Sequence, residues 1–295
     1  MSKKIVVIGS SNTDMVIKAP RIPVPGETIL GGEFKMGPGG KGANQAVAAA
    51  KLGGDVTFIC KVGRDMFGEN SVKGYQKEGI DTSSTLYSDL PSGTALIMVD
   101  ENAENCISVA PGANGDFTPA DIESVAHVIK KADYVIFQLE IPVETVLAGA
   151  KIAHEAGAYV ILNPAPACHL PEELFKYISL ATPNQTEIAL MTGIEDDVEK
   201  AMTKLCEMGV KDIILTLGSK GSAIWDGTKA EIVPAQKVKA VDTTAAGDTF
   251  CGALCVALSE GKTKREAVEF ATRASALTVQ KMGAQESIPC RKDLE

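Results

Sequence analysis

The sequence lacks the segments that mark membrane and secreted proteins. No apolar run approaches the roughly 20 residues that a transmembrane helix needs. The first apolar stretch, residues 5–8, is too short for the core of a signal peptide. We interpret it as the first β-strand, and we expect a cytoplasmic protein.

The spacings of metal sites and disulfide scaffolds are also missing. The seven cysteines are odd in number and contain no Cys-x-x-Cys pair, and the histidines His127, His154 and His169 are scattered. We therefore expect reduced, mostly buried thiols, and neither a zinc site nor a histidine-based catalytic triad.

An excess of positive charge is absent as well. The 295 residues include 29 basic and 38 acidic side chains, a net charge of −9. This balance disfavours binding to nucleic acid or to an anionic membrane. It does not exclude a small phosphorylated ligand, because backbone N–H groups can hold phosphate within an acidic protein. The length suits one large α/β domain.

Strand and helix patterns alternate from about residue 133 onward. Short apolar runs predict strands at Tyr134–Phe137, Tyr159–Leu162, 178–181 and 213–217, and helical periodicity predicts helices at 143–156 and 195–208. Such a series folds as a mainly parallel sheet with helices on both faces. Ligands bind such sheets at the carboxyl ends of the strands, where polar residues follow several of the predicted strands.

Two stretches interrupt this rhythm. Residues 14–40 are rich in glycine and proline, and residues 93–112 contain two strand-like segments, 95–99 and 106–109. We expect β-strands outside the main sheet, which would form a lid over an active site. They would alternatively pair with the same strands of a second copy and so cover exposed edges.

A short motif near the C-terminal end predicts a phosphate site. Asp242-Thr-Thr-Ala-Ala-Gly-Asp248 precedes an apolar run in which Phe250, Leu254 and Leu258 share one helical face. Ala246 and Gly247 put little side chain over the unpaired N–H groups of a helix start, so an anion can reach them. Asp248 would then take a proton from an attacking hydroxyl. The alternative is that Asp248 only complements the helix dipole.

The common nucleotide-binding fingerprints are not matched. Gly39-Gly-Lys-Gly42 resembles a P-loop, but Gly37 precedes Lys41 by only four residues and no Ser or Thr follows the lysine. No Gly-x-Gly-x-x-Gly follows the first strand, which argues against a nicotinamide-dependent dehydrogenase.

Taken in order, the motifs resemble those of the ribokinase family of carbohydrate kinases over nearly the whole chain. They are Gly9-Ser-Ser-Asn-Thr-Asp14, Pro23-Val-Pro-Gly-Glu-Thr28, Gly39-Gly-Lys-Gly-Ala-Asn44, Gln138-Leu-Glu140, Asn163-Pro-Ala-Pro166, Thr182-Pro-Asn-Gln-Thr-Glu187, Thr216-Leu-Gly-Ser-Lys-Gly221 and Asp242–Asp248. The resemblance implies a three-layer α/β sandwich with a mainly parallel central sheet and a small β lid, all within one kinase domain (1–295). The implied reaction is transfer of the γ-phosphoryl group of ATP to the 5-hydroxyl of D-ribose.

The resemblance also implies roles for individual residues. Asp248 would be the base, beside an anion hole at Ala245, Ala246 and Gly247. The sugar would be held by Asn12, Asp14, Gly40, Lys41, Asn44, Glu140 and Asp248, although Gly40 alone could be a turn residue and Asn44 alone a helix-start residue.

Further positions are implied for ATP and its metal ions. Asn184 and Glu187 would act on Mg²⁺ and the phosphates largely through water, or would form only a helix capping box. The rest of the nucleotide site would be Thr216, Gly218, Ser219, Lys220, Gly221, Gly247 and Thr272. Thr272 replaces a histidine common in close relatives. A K⁺ site would use Asp242, Thr244, Thr278, Lys281, Gly283 and Ser287, mostly through backbone carbonyls.

Other activities within the same fold stay open. Deoxyribose, fructose, 2-keto-3-deoxygluconate, adenosine or pseudouridine could replace ribose, because pocket shape decides among them. A sugar-binding protein without catalysis is a second alternative. We also expect a homodimer formed through the lid strands.

Overall fold

The computed structural model describes residues 3–102 and 104–294. The strands are β1 (Lys4–Ile8), β2 (Asn12–Lys18), β3 (Glu33–Gly39), β4 (Asp55–Ile59), β5 (Lys61–Gly63), β6 (Leu86–Ser88), β7 (Gly93–Val99), β8 (Asn105–Ala110), β9 (Tyr134–Phe137), β10 (Tyr159–Leu162), β11 (Leu180–Ala181), β12 (Asp212–Thr216), β13 (Ser222–Trp225) and β14 (Ala230–Val233). The α-helices are α1 (Lys41–Lys51), α2 (Met66–Lys77), α3 (Pro119–Ser124), α4 (Ala126–Ile129), α5 (Val143–Glu155), α6 (Glu172–Phe175), α7 (Gln185–Thr192), α8 (Val198–Glu207), α9 (Ala246–Ser259) and α10 (Lys264–Thr278). Short 3₁₀ helices lie at Gly112–Asn114, Gly218–Lys220 and Arg291–Asp293.

A large sheet with the order β14-β13-β12-β11-β10-β9-β1-β4 forms the centre of the fold. Its strands from β4 to β12 are parallel, whereas β13 and β14 are antiparallel at one edge. The predicted mainly parallel sheet is therefore confirmed.

Helices cover both faces of this sheet. Ile5 and Val7 of β1 point into one apolar cluster with residues of α1, α9 and α10. Val6 and Ile8 point into a second cluster with residues of α5 and α8. Because successive side chains of a strand point to opposite faces, a continuous run of apolar residues packs against both layers of helices.

The close approach of α1 and α9 depends on Gly252. A Cβ atom at this position would lie 2.7 Å from the carbonyl oxygen of Gln45 and 2.8 Å from the Cβ of Ala48. A Cβ atom essentially never approaches other atoms this closely, so a larger residue would force the two helices apart. Their N-terminal ends, where Asn44 and Asp248 lie, consequently meet at one place.

The small sheet has the strand order β3-β2-β7-β8. It is built from the two stretches 14–40 and 93–112, so the prediction of strands outside the main sheet is confirmed. In the register of the strands, Asp14 lies opposite Ala95, and Ala95 lies opposite Val109. These side chains share one face of the small sheet.

The bounds of several elements differ from the expectation. Helix α8 begins at Val198 rather than near residue 195, because Asp197 caps it with a carboxylate that accepts the N–H of Lys200 (3.0 Å). The strand predicted at 178–181 is only Leu180–Ala181, since Ile178 still closes the turn after α6. No helix in the described ranges is both long enough and apolar enough to cross a membrane.

Candidate active site

A cavity of about 410 Å³ lies between the carboxyl ends of the large sheet and the small sheet. Most of the predicted sugar, anion and phosphate residues line it. They are Asn12, Asp14, Gly40, Lys41, Asn44, Glu140, Asn184, Glu187, Thr216, Thr244, Ala245, Ala246, Gly247 and Asp248. Residues separated by more than 200 positions in sequence thus face one space.

Asp248 is held by two amide side chains from helix α1. The Nδ2 group of Asn44 donates to Oδ2 at 2.9 Å, and the Nε2 group of Gln45 donates to Oδ1 at 3.0 Å. The N-cap residue Ala245 makes no capping bond with its side chain, and Asp248 itself is only 6% exposed. The carboxylate is therefore fixed by tertiary contacts while it faces the cavity, which favours the proton-acceptor role over a simple interaction with the helix dipole.

The start of α9 offers backbone donors to an anion. Ala245 adopts a left-handed conformation (φ 59°), the only non-glycine residue with positive φ in the described ranges. Among the described residues, the N–H groups of Gly247 and Asp248 have no hydrogen-bond partner, and no atom lies within 4 Å of a Cβ built on Gly247. The N–H of Ala246 differs, because it donates to the carbonyl of Thr243 at 3.2 Å. Gly247 is thus the readier anion-hole donor of the two.

Asn12 and Glu140 are each oriented by a neighbour. Asn114 donates to Oδ1 of Asn12 at 2.7 Å, which leaves the N–H₂ group of Asn12 as the donor for a ligand. Oε2 of Glu140 accepts the hydroxyl of Ser10 (2.6 Å) and the backbone N–H of Lys41 (2.9 Å). The second carboxylate oxygen of Glu140 has no hydrogen-bond partner among the described residues, so it can accept a bond from a ligand.

Gly40 is both a turn residue and a wall of the cavity. It is the N-cap of α1 with φ 90°, and a Cβ there would lie 2.8 Å from the backbone nitrogen of Asn12. Gly40 is therefore required for the turn before α1 and also lines the cavity.

Asp14 lies on strand β2, on the face of the small sheet that lines the cavity. Burial, followed by the negative charges of Glu140 and Asp248, raises its pKa to about 6. A Cβ at Gly39 would come within 2.1 Å of its Oδ2 atom, so a side chain at position 39 would force this carboxylate to move. Four acidic side chains, those of Asp14, Glu140, Glu187 and Asp248, consequently share one cavity, which Lys41 also lines.

Asn184 and Glu187 form the capping box at the start of α7. Oδ1 of Asn184 accepts the N–H of Glu187, and Oε2 of Glu187 accepts the N–H of Asn184, each at 2.8 Å. Burial raises the pKa of Glu187, although the hydrogen bond from the N–H of Asn184 and the positive charge of Lys41 act to lower it. Because both side chains also line the cavity, the capping role leaves a role toward Mg²⁺ and phosphate open.

The remaining nucleotide positions are not among the lining residues of this cavity. Gly218, Ser219 and Lys220 form a 3₁₀ turn after β12, which Gly221 ends. Thr272 lines a separate cavity of about 530 Å³ with Val233 and Arg273. Its Oγ1 atom is buried without a partner among the described residues.

The predicted K⁺ positions form two adjoining segments. Oδ1 of Asp242 accepts the N–H of Thr244 (2.9 Å) and Oδ2 accepts the N–H of Gly283 (2.9 Å). Burial opposes ionisation of Asp242, but these bonds together lower its pKa. Lys281 donates its N–H to the carbonyl of Thr278, and the hydroxyl of Ser287 donates to the carbonyl of Ala284. The two segments are therefore joined beside the start of α9.

Several residues at the site were not predicted. Gln45, Gln138, Asn163 and Asn114 form buried hydrogen bonds beneath the cavity, and Ala95, Ile97, Ile107 and Val109 line its apolar side. Gln138 and Asn163 directly follow β9 and β10 and begin two of the motifs given above, but the sequence assigned them no role at the site.

Three known proteins are similar to this chain over nearly its whole length. A bifunctional ribokinase/ribose-5-phosphate isomerase A of Fructilactobacillus sanfranciscensis is 44% identical over 98% of this chain, and the chain spans 55% of that protein's length. A ribokinase of Haemophilus influenzae is 41% identical over 99% of this chain and 97% of its own length. The structure of Arabidopsis thaliana ribokinase complexed with ribose and ATP is 35% identical, with a TM-score of 0.92 over 100% of this chain and 98% of that one.

The family comparison agrees with the fold and with the cavity at the strand ends. The profile of the pfkB family carbohydrate kinases matches residues 2–291. The chain therefore belongs to the pfkB family of carbohydrate kinases.

Proposed function

We propose that the chain transfers the γ-phosphoryl group of ATP to the 5-hydroxyl of D-ribose. The observation that carries the proposal is the placement of Asp248. Its buried carboxylate lies one residue from the unpartnered N–H of Gly247, in a cavity lined by polar side chains suited to a sugar. The relatives named as ribokinases, and the related structure with bound ribose and ATP, support this substrate pair.

The residues divide into three tasks. Asp248 accepts the proton of the attacking hydroxyl, so that the oxygen becomes a better nucleophile. The N–H of Gly247 stabilises negative charge on the transferring phosphoryl group. The N–H of Ala246 would add to this if its bond to the carbonyl of Thr243 broke. Asn12, Asp14, Gly40, Lys41, Asn44 and Glu140 hold the sugar, because a polyol needs many donors and acceptors.

The residues present fit Mg²⁺ bound mainly by phosphate and water. Within the described ranges, no group of three or more His, Cys, Asp or Glu side chains is placed to hold a metal ion. Mg²⁺ keeps several waters and needs few protein carboxylates when it binds with ATP. Glu187 and Asn184 would hold that hydrated ion, which neutralises phosphate charge when bound.

The segment around Asp242 fits K⁺. Its lowered pKa keeps the carboxylate ionised, and the adjoining turns bring backbone carbonyl groups near it. K⁺ would be held by Asp242, Thr244, Thr278, Lys281, Gly283 and Ser287, and it would shape the anion hole rather than touch the substrate.

The small sheet is proposed as a lid and as the dimer surface of a single kinase domain. The face toward the cavity carries Ala95, Ile97, Ile107 and Val109. The register places Phe34, Met36, Ile17 and Leu96 on the opposite face, where all four are exposed. A sheet that is apolar on both faces needs two covers, and a second copy of the chain supplies the outer one.

A coupled assay of ADP release tests the function. ATP, Mg²⁺ and K⁺ are supplied with ribose, deoxyribose, fructose, 2-keto-3-deoxygluconate, adenosine or pseudouridine. We expect a clear preference for ribose. A preference for another acceptor would reassign the sugar pocket but keep Asp248 as base, whereas ribose binding by calorimetry without turnover would contradict the kinase proposal.

A further inference from the structure

A chain of buried amides ends at the carboxylate of Asp248. Nε2 of Gln138 donates to Oε1 of Gln45 at 2.6 Å, and Nε2 of Gln45 donates to Oδ1 of Asp248 at 3.0 Å. Gln138 and Gln45 are both fully buried. Neither side chain is therefore in contact with bulk water.

The direction of the chain is fixed by the two acceptors that Gln45 faces. Nε2 of Gln45 also donates to Oδ1 of Asn163 at 3.2 Å, and Asn163 in turn donates to the carbonyl of Thr182 at 3.2 Å. If the amide of Gln45 rotated by half a turn, its oxygen would face two acceptor oxygens and its N–H₂ group would face that of Gln138. The acceptor oxygens of Asp248 and Asn163 thus set the orientation of Gln45, and the N–H₂ group of Gln138 stabilises this orientation by donating to its Oε1.

Gln138 keeps this role at a cost. Its Oε1 atom is buried without a partner among the described residues. A buried unpaired acceptor is unfavourable, and an apolar side chain of the same shape would avoid it. Gly9 is also required beside it, because a Cβ there would lie 2.0 Å from Oε1. The same apolar side chain would, however, leave the buried Oε1 of Gln45 without its donor, so glutamine at position 138 is tied to the orientation of Gln45.

We propose that Gln138 and Gln45 are positioning residues for the base, with Gln138 acting only through Gln45. The proposal rests on Asp248 being the base. In the reaction, the Gln45 N–H holds Oδ1 in place, and the carboxylate keeps the orientation in which a lone pair faces the sugar hydroxyl. Ribose binding does not need this contact, since neither glutamine lines the cavity.

The test uses Gln138→Met, Gln45→Met and the double variant in the full-length protein. Met has a shape close to that of Gln without its donor. We expect kcat to fall roughly tenfold or more in each single variant, with the KM for ribose within about twofold. The double variant should be no slower than Gln45→Met, because Gln138 has no other route to the base.

Thr145→Val is the matched control. Thr145 is fully buried and donates to the carbonyl of Phe117, away from the cavity. Thermal unfolding should show a loss of stability in this variant with an unchanged kcat. This result would separate loss of a buried hydrogen bond from loss of positioning.

Three outcomes overturn the proposal: an unchanged kcat in Gln138→Met, a KM that rises as much as kcat falls, or losses that multiply in the double variant. If Gln45→Met does not fold, Gln138→Met alone still decides through its kcat and KM. Asp248→Asn in the same assay distinguishes failure of the positioning proposal from failure of the proposed function. Substantial residual turnover in that variant would show that Asp248 is not the base.

Discussion

The side-chain amide of Asn44 donates to the carboxylate of Asp248 at 2.9 Å, although 204 positions separate the two residues in sequence. The bond joins the first turns of α1 and α9. Asn44 is oriented in turn by Gln285, which donates to its Oδ1 at 3.3 Å. The residue proposed for the sugar and the residue proposed as base are thus parts of one hydrogen-bonded unit.

Asp248→Asn should nearly abolish turnover. The substitution keeps the shape of the side chain but removes its ability to accept a proton, and a positioned general base contributes about 10²- to 10⁴-fold to the rate. Ribose affinity should stay within a few-fold, as measured by calorimetry, because the other polar residues of the sugar site are unchanged. Substantial residual turnover in the coupled assay would remove Asp248 from the base role.

Ala245→Gly should stabilise the protein. A left-handed conformation costs a non-glycine residue about 1–2 kcal/mol, and glycine avoids this strain while it adds up to about 1 kcal/mol of chain entropy to the unfolded state. The net gain should lie between about 0 and 2 kcal/mol in urea unfolding.

Ala189→Gly is the matched control for Ala245. Ala189 lies inside α7 in ordinary helical geometry, so glycine there should cost about 1 kcal/mol. Equal destabilisation of the two variants would contradict the interpretation of Ala245 as strained.

The sequence predicted those parts of the site that depend on local motifs. The helix start at Ala246, the strands of the two sheets and the polar residues after strands follow from short patterns of residue type. Most of the predicted sugar and phosphate residues line the cavity for this reason, since the carboxyl ends of parallel strands meet at one edge of a sheet.

What the sequence did not predict depends on contacts between distant segments. The bond from Gln45 to Asp248 requires α1 and α9 to touch, and that contact depends on the space left by Gly252. One local feature was missed as well: the N–H of Ala246 donates to the carbonyl of Thr243 in a turn whose conformation residue types alone do not determine.

Asp14→Asn should stabilise the protein in a pH-dependent way. The pKa of Asp14 is raised from its ordinary value of 3.8 to about 6 in the fold, so the folded state keeps a proton that the unfolded chain has released between these values. Stability therefore falls as the pH rises through this window. Above pH 6 the penalty is at most about 3 kcal/mol, and the amide removes it.

Urea unfolding at two pH values tests this prediction. Asp14→Asn should be more stable than the parent at pH 8, and the difference should disappear below about pH 4, where both states are protonated. Asp196→Asn, at an exposed position, should change stability by less than about 0.5 kcal/mol at either pH. A gain for Asp14→Asn that does not depend on pH would contradict the raised pKa.

Removal of K⁺ should lower kcat several-fold. We expect the loss when K⁺ is replaced by tetramethylammonium at constant ionic strength, because that cation is too large for a site of closely spaced carbonyl groups. Asp242→Asn should lower activity and abolish the response to K⁺, since its N–H₂ group would oppose a backbone N–H such as that of Gly283.

Asp226→Asn is the control for the potassium experiment. Asp226 accepts the N–H and the hydroxyl of Thr228, the same local arrangement that Asp242 makes with Thr244, but in the turn between β13 and β14. This variant should keep its response to K⁺. Kinase activity that is the same with and without K⁺ in the parent protein would exclude the proposed cation site.

Phe34→Glu should convert the proposed dimer to a monomer. Phe34 is 60% exposed on the outer face of the small sheet, and a carboxylate there would have to be buried without a partner in a dimer. Light scattering at micromolar concentration should show twice the chain mass for the parent protein and the mass of one chain for the variant.

Ile232→Glu is the matched control, because Ile232 is 52% exposed on β14, a strand of the other sheet, and this variant should remain dimeric. A parent protein that scatters as a monomer, or a Phe34→Glu variant that stays dimeric, would exclude the outer face of the small sheet as the dimer surface.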